Sequence, residues 1–140
     1  MNGRRGLVLA LVAVAAVLPG CGGGSDEPQT DSERVRDLVE RFDEAFSSGD
    51  YGEACELLHS RRREQLEFGR NQKCEDILAG AAETDARVVK ALAGARITTV
   101  SVNEGFAIVG VEGPTIGARQ AMLERDGDRG WRISESPGGL

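Results

Sequence analysis

Three cysteines and one histidine are the residues best suited to nucleophilic, redox or metal chemistry in this 140-residue chain. His59 stands four residues after Cys55, and Cys74 follows, so one reading of the trio is a Cys2His site for zinc. No fourth ligand is evident, and an oxidised cysteine pair cannot bind metal as thiolates. A surface histidine at a helix end is the plainer reading of His59. No serine or cysteine nucleophile motif and no paired acid–base spacing stands out. No catalytic residue, metal ligand or cofactor is therefore assigned. Arg61, Arg62 and Arg63, with Arg70 and Lys73, form the one local basic cluster. It could meet phosphate headgroups or an acidic partner. Consecutive helical residues point about 100° apart, however, and Glu56, Glu64 and Glu67 stand nearby as partners, so a solvated, charge-laced face is expected. Gly110, Gly113 and Gly117 lack the lysine and following helix of a phosphate loop, and bulge and turn roles fit them better.

The third cysteine has a different setting. Arg4 and Arg5 precede an unbroken apolar run over residues 7–18, which is shorter than the roughly 20 residues needed to cross a bilayer as a helix. The run ends in Leu18-Pro19-Gly20-Cys21, which resembles the lipobox of bacterial lipoprotein precursors. Pro19 departs from the commonest pattern, which has a small or β-branched residue there. Arg4-Arg5 also matches twin-arginine signals in part, but general secretion is the favoured route; an ordinary secretory signal with an incidental cysteine is the alternative to the lipobox. The resemblance implies that residues 1–20 are a signal peptide and that Cys21 receives diacylglycerol and palmitate. The mature protein would then be held on the extracytoplasmic face of the cell membrane. Two or three acyl chains anchor a protein essentially for good. Residues 21–30, rich in glycine, read as a tether, with a reach on the order of 16 Å for its eight central residues.

Removing that leader takes away two arginines and no acid, leaving a formal charge of −8. Such a surface argues against nucleic acid as a partner and against electrostatic adhesion to anionic lipid. If Cys21 carries lipid, Cys55 and Cys74 remain as an even pair in an oxidising compartment, and a disulfide between them is expected. Two separate buried thiols are the alternative. The remaining length suits one compact domain, residues 31–136, with a short tail over 137–140.

The elements that position these residues begin with Thr30-Asp31-Ser32-Glu33, a capping box. Val35, Leu38, Val39, Phe42, Ala45 and Phe46 follow at spacings of three and four, which predicts an amphipathic helix ended by Gly49. Asp50 opens a second helix that carries Tyr51, Ala54, Cys55 and Leu58 inward and restarts near Ser60 to run toward Phe68. Residues 72–82 read as a third helix, with Cys74, Ile77 and Leu78 packed. Residues 85–92 are a short helix or an irregular crossing. The period then changes to two. Residues 97–102 and 106–111 form a hairpin around Asn103-Glu104-Gly105, and residues 119–125 pair with 131–134 across a glycine-rich tip. Helices followed by an antiparallel sheet define an α+β order.

The capped helix, the phrase Ser48-Gly49-Asp50-Tyr51-Gly52-Glu53-Ala54-Cys55-Glu56-Leu57-Leu58, Cys74-Glu75 and the closing Gly130-Trp131-Arg132-Ile133 are similar to small bacterial lipoproteins of the nuclear-transport-factor-2-like superfamily. That resemblance implies a curved antiparallel sheet wrapped around a long helix to leave a conical cavity. Its members include isomerases, dehydratases, cyclases and many non-catalytic binding or assembly domains, so fold kinship leaves activity open. Catalytic members place an acid or base inside the cone. Asp43, Asp50, Tyr51 and His59 are the counterparts here, but Asp50 is better explained as an N-cap and Asp43 as a solvated position beside Phe42. If Phe42, Phe46, Tyr51, Phe106 and Trp131 line an open cone, the pocket suits a small apolar ligand. The expected protein is thus a lipid-anchored, non-enzymatic lipoprotein binding a small apolar ligand or an envelope protein. The alternatives are a dimerisation or assembly module of the envelope, and an isomerase- or hydratase-like enzyme.

Overall fold

The computed structural model describes residues 28–114 and 116–137. The leader, Cys21, most of the tether and residues 138–140 of the tail lie outside the described residues. Helix α1 (Asp31–Ser48) starts as its sequence dictates. The Thr30 hydroxyl accepts from the Glu33 amide at 3.3 Å, and the Glu33 carboxylate accepts from the Thr30 amide at 2.7 Å. Gly49 ends it at φ 86°, in the left-handed region, donating to Ala45 and Phe46 carbonyls. Its apolar stripe is fully used: Val35, Val39, Phe42 and Phe46 are completely buried. Each phenylalanine contributes about 1.5–3 kcal/mol by leaving water.

Helix α2 (Tyr51–Leu57) is capped by the Asp50 carboxylate, which accepts from the Glu53 amide at 3.0 Å. It stops one residue before Leu58, earlier than the apolar spacing predicts, because the chain there crosses to the sheet. Leu58 forms a parallel bridge with Ile133, and the His59 amide donates to the Ile133 carbonyl at 2.8 Å. Helix α3 (Ser60–Glu67) follows. Helix α4 (Cys74–Thr84) begins two residues later than predicted. Lys73 is extended and offers no side-chain cap, and the first helical amide, that of Cys74, is satisfied by the Glu67 carboxylate at 2.8 Å. Residues 86–93 form a true helix, α5 (Ala86–Ala93), with the Asp85 carboxylate accepting from Arg87.

Strands β1 (Arg96–Val102), β2 (Phe106–Gly113), β3 (Gly117–Arg125) and β4 (Trp131–Glu135) form one antiparallel sheet in sequence order. The architecture is α+β. Ala107, Val109, Val111, Ala121, Leu123 and Ile133 alternate onto the face that the helices cover. Ile108 and Met122 are register partners on the other face, which also carries Phe106 and Gln120. Register breaks between Ile97 and Thr99 and between Met122 and Leu123. Gly110 sits opposite the first break, where an added Cβ would lie 2.3 Å from Thr99 Oγ1, so any larger residue forces the Thr99 side chain to shift. The expected disulfide joins Cys55 to Cys74, with 6.0 Å between their Cα atoms, and clamps α2 to α4. No helix among the described residues is long and apolar enough to cross a membrane.

Candidate functional site

Helix α1 presents a second stripe beside its buried one. Arg36, Glu40, Asp43 and Ser47 recur at intervals of four, three and four, and with Glu44 they form one wall of a cleft of about 510 Å³. Leu92 and Ala93 from the end of α5, Ala95 from the connection, and Arg96 and Ile97 from the start of β1 form the other wall. Asp43 is the group in this cleft whose chemistry is altered. Its Oδ1 is shielded from solvent and has no hydrogen-bond partner among the described residues. Burial, reinforced by the negative charge of Glu40, raises its carboxyl from 3.8 to about 7. The solvated position expected for Asp43 is therefore incorrect. The residue lies at the margin of the apolar stripe, four after Val39 and three before Phe46, so their packing draws it under cover. A carboxyl that titrates near neutrality can hold or release a proton under ordinary conditions, as a hydrogen-bond donor to a ligand or as an acid–base group.

The other candidate acids and bases are elsewhere. Asp50 caps α2, as expected. Tyr51 packs edge-on against Phe46, with ring centroids 5.7 Å apart. His59 is at a helix end, but it is not a surface residue: only 7% of it is exposed. The chain crossing at Leu58–Ile133 carries it inward, where its Nδ1 accepts from the Arg61 amide at 3.1 Å and caps α3. Its Nε2 stands 3.8 Å from Asp126 Oδ1. Asp126, at the tip of the β3–β4 hairpin, accepts from the Ser60 amide at 3.0 Å and the Ser60 hydroxyl at 2.8 Å, and pairs with Arg129 at 2.9 Å. Burial pushes the Asp126 carboxyl up, but the Ser60 donors, His59 and Arg129 outweigh it and hold the group below its usual range. Ser60, His59 and Asp126 are thus adjacent without forming a nucleophilic relay, because the serine hydroxyl donates to the aspartate and the imidazole accepts from backbone.

Cys55 and Cys74 are oxidised and unavailable as thiolates. Among the described residues no group of three or more His, Cys, Asp or Glu side chains is placed to hold a metal. The arginine cluster is laced with acids, though by partners more distant than the helix spacing suggests: Arg61 reaches Glu124 at 3.7 Å and Arg63 reaches Glu56 at 3.0 Å. The five aromatics considered for an open pocket are not brought to one wall. Phe42, Phe46 and Trp131 are inside the core, Phe42 and Phe46 stacked with centroids 6.2 Å apart. Phe106 points to the helix-free face and is 43% exposed. Arg125 covers the Trp131 ring at 4.3 Å and binds Asp31 of α1 at 2.7 Å.

The contributions of Arg36, Glu40 and Arg96 to the cleft, and of Asp126 to the histidine, were not foreseen. The α1 stripe was legible as an i, i+4, i+7, i+11 series, whereas the other walls depend on tertiary packing. Comparison with family models, with curated proteins and with solved structures gives no match.

Proposed function

We propose that this chain is a lipoprotein exported across the cytoplasmic membrane, lipidated at Cys21 and displayed on the extracytoplasmic face. It carries a nuclear-transport-factor-2-like domain without catalytic activity that binds an envelope protein or a small apolar ligand. The observation that carries this reading is the Cys55–Cys74 disulfide. It suits an oxidising compartment, and it uses two of the three cysteines, which leaves Cys21, directly after the small Gly20 and the apolar run, for lipid. Between the two kinds of partner, the closed aromatic core favours a protein, since Phe42, Phe46 and Trp131 fill the space that an apolar ligand would need. Radiolabelled palmitate should enter the wild-type protein and not Cys21→Ala. An unlabelled wild-type protein that stays in the cytosol with residues 1–20 attached refutes the reading. A pull-down from membranes with the lipidated protein then identifies the partner, and native mass spectrometry reports any bound small molecule.

The second reading, an isomerase- or hydratase-like enzyme, is favoured by one observation: the Asp43 carboxyl, raised to about 7 in an open cleft. Its test is turnover of small carbonyl or enone substrates that is lost in Asp43→Asn.

A further inference from the structure

Phe68 is 86% exposed, far more than Phe106 at 43% or Met122 at 36%, the other large apolar residues open to solvent among the described residues. It opens the connection between α3 and α4, residues 68–73, all of them exposed. The loop is nevertheless braced. The Phe68 amide donates to the Glu64 carbonyl at 2.9 Å, the Arg70 amide donates to the Glu67 carbonyl at 3.0 Å, and Gly69 turns the chain at φ 71°. Its far end is closed by the Glu67 carboxylate on the Cys74 amide and by the disulfide from Cys74 to α2. The backbone that carries the ring is therefore held, and the backbone share of a contact's ordering entropy is already lost in folding. Arg70 and Lys73 flank it. Glu75 and Asp76 begin α4 just beyond, so local charges nearly cancel and the apolar ring, not net charge, must drive any contact.

The start of α1 is linked through the β3–β4 hairpin to the start of α3. Asp31 binds Arg125, and the next residue, Asp126, holds Ser60 at the start of α3. Phe68 follows α3, whose eight residues rise about 12 Å. A chain held to a bilayer through Cys21 thus enters the fold at an end that side-chain contacts tie to the start of α3, and eight extended residues span up to about 27 Å. The loop can reach the same lipid surface while the tether is engaged.

We propose that the α3–α4 loop is a second membrane contact, with Phe68 in the boundary between headgroups and acyl chains and Arg70 and Lys73 extending to lipid phosphates. This rests on the reading of Cys21 as a lipid anchor. Because the anchor makes the second contact intramolecular, one aromatic side chain and two snorkelling cations are enough to orient the domain. A bias of about tenfold toward the loop-down orientation, equivalent to about 1.4 kcal/mol, is within what burial of one phenylalanine supplies.

Full-length protein, processed and lipidated in its host and reconstituted into phosphatidylcholine vesicles with brominated acyl chains, tests this. Phe68→Trp places an indole at the loop, Phe106→Trp places one on the helix-free sheet face, and the buried Trp131 is the common background. Flotation with the vesicles is measured first. The expected result is flotation of both variants with quenching of the introduced indole at least about twofold stronger at position 68 than at 106, and weaker at 68 when Arg70→Glu and Lys73→Glu are added. Protein that floats but shows equal quenching at both positions, or none at 68, overturns the loop contact and leaves the anchor standing. Protein that does not float overturns both.

Discussion

The Asp43 carboxyl makes stability depend on pH with a definite sign. Its value rises from 3.8 in solvent to about 7 in the fold, and each pH unit of difference is 1.36 kcal/mol, so ionising it inside the protein costs on the order of 4 kcal/mol. Between these values the folded chain keeps a proton that the unfolded chain has released, and stability falls as pH rises through the window. Below about pH 4 the group makes no demand, and above about pH 8 the whole cost is present. Against a total of roughly 5–15 kcal/mol for an ordinary domain this is a large fraction. Asp43→Asn keeps the shape and cannot ionise. Urea unfolding of both proteins across this range should give a stability difference that grows in favour of the variant from about pH 4 to 7 and then levels off several kcal/mol higher. Titrating groups common to both proteins largely cancel in that difference. A difference that stays constant with pH refutes the buried-acid argument, and with it the reason for regarding the cleft as a site.

Three further outcomes follow from the packing. Replacing both Cys55 and Cys74 with serine should lower stability by about 3 kcal/mol, measured by chemical denaturation under non-reducing conditions, since the bridge closes a 19-residue separation. Gly110→Ala should cost about 1–3 kcal/mol because its Cβ meets Thr99 Oγ1, and Thr99→Ala in the same chain should recover part of that loss in a thermal melt. Asp126→Ala leaves the Ser60 amide, the Ser60 hydroxyl and Arg129 Nη1 without their acceptor, while Arg129 Nη2 keeps Glu56, and a loss of roughly 2–3 kcal/mol is expected; an unchanged urea midpoint would show that the hairpin does not fasten α3.

Local chemistry determined how much of this could be read from the residues. Thr30 with Glu33, the stripe from Val35 to Phe46, Asp50 and Gly49 all act within a turn of themselves, and they stand where their spacing predicts. The hairpins follow from alternation and turn residues in the same way. The failures come where a distant element intervenes. α2 ends early because Leu58 and His59 bond to Ile133, more than seventy residues on. α4 starts late because Glu67 takes the Cys74 amide. His59 and Asp43 are both polar residues that read as solvated by type, yet the crossing at Leu58–Ile133 carries His59 inward and apolar neighbours at helical spacing draw Asp43 under cover. Phe106 differs from Ala107 only in the parity of its position along β2, which sends it to the uncovered face while Ala107 is buried.

The energetics of Asp43 bear on the choice between a binding domain and an enzyme. An unpaired carboxyl retained at the edge of a core lowers stability at neutral pH, whereas Asn or Leu at the same place would avoid the ionic cost. Proteins keep such groups where strain or burial serves a site, and this cleft opens to solvent between a charged wall and a mainly apolar one that carries Arg96. The aromatic core, by contrast, is closed. If the domain recognises a small molecule, the α1–α5–β1 cleft, not a cone of phenylalanines, is a place with both space and an altered carboxyl. A protein partner would instead meet the exposed Phe106 and Met122 on the opposite side of the sheet. Asp43→Asn therefore separates the alternatives: it should abolish small-molecule turnover or binding in the cleft, and it should leave capture of an envelope protein through the sheet face unchanged.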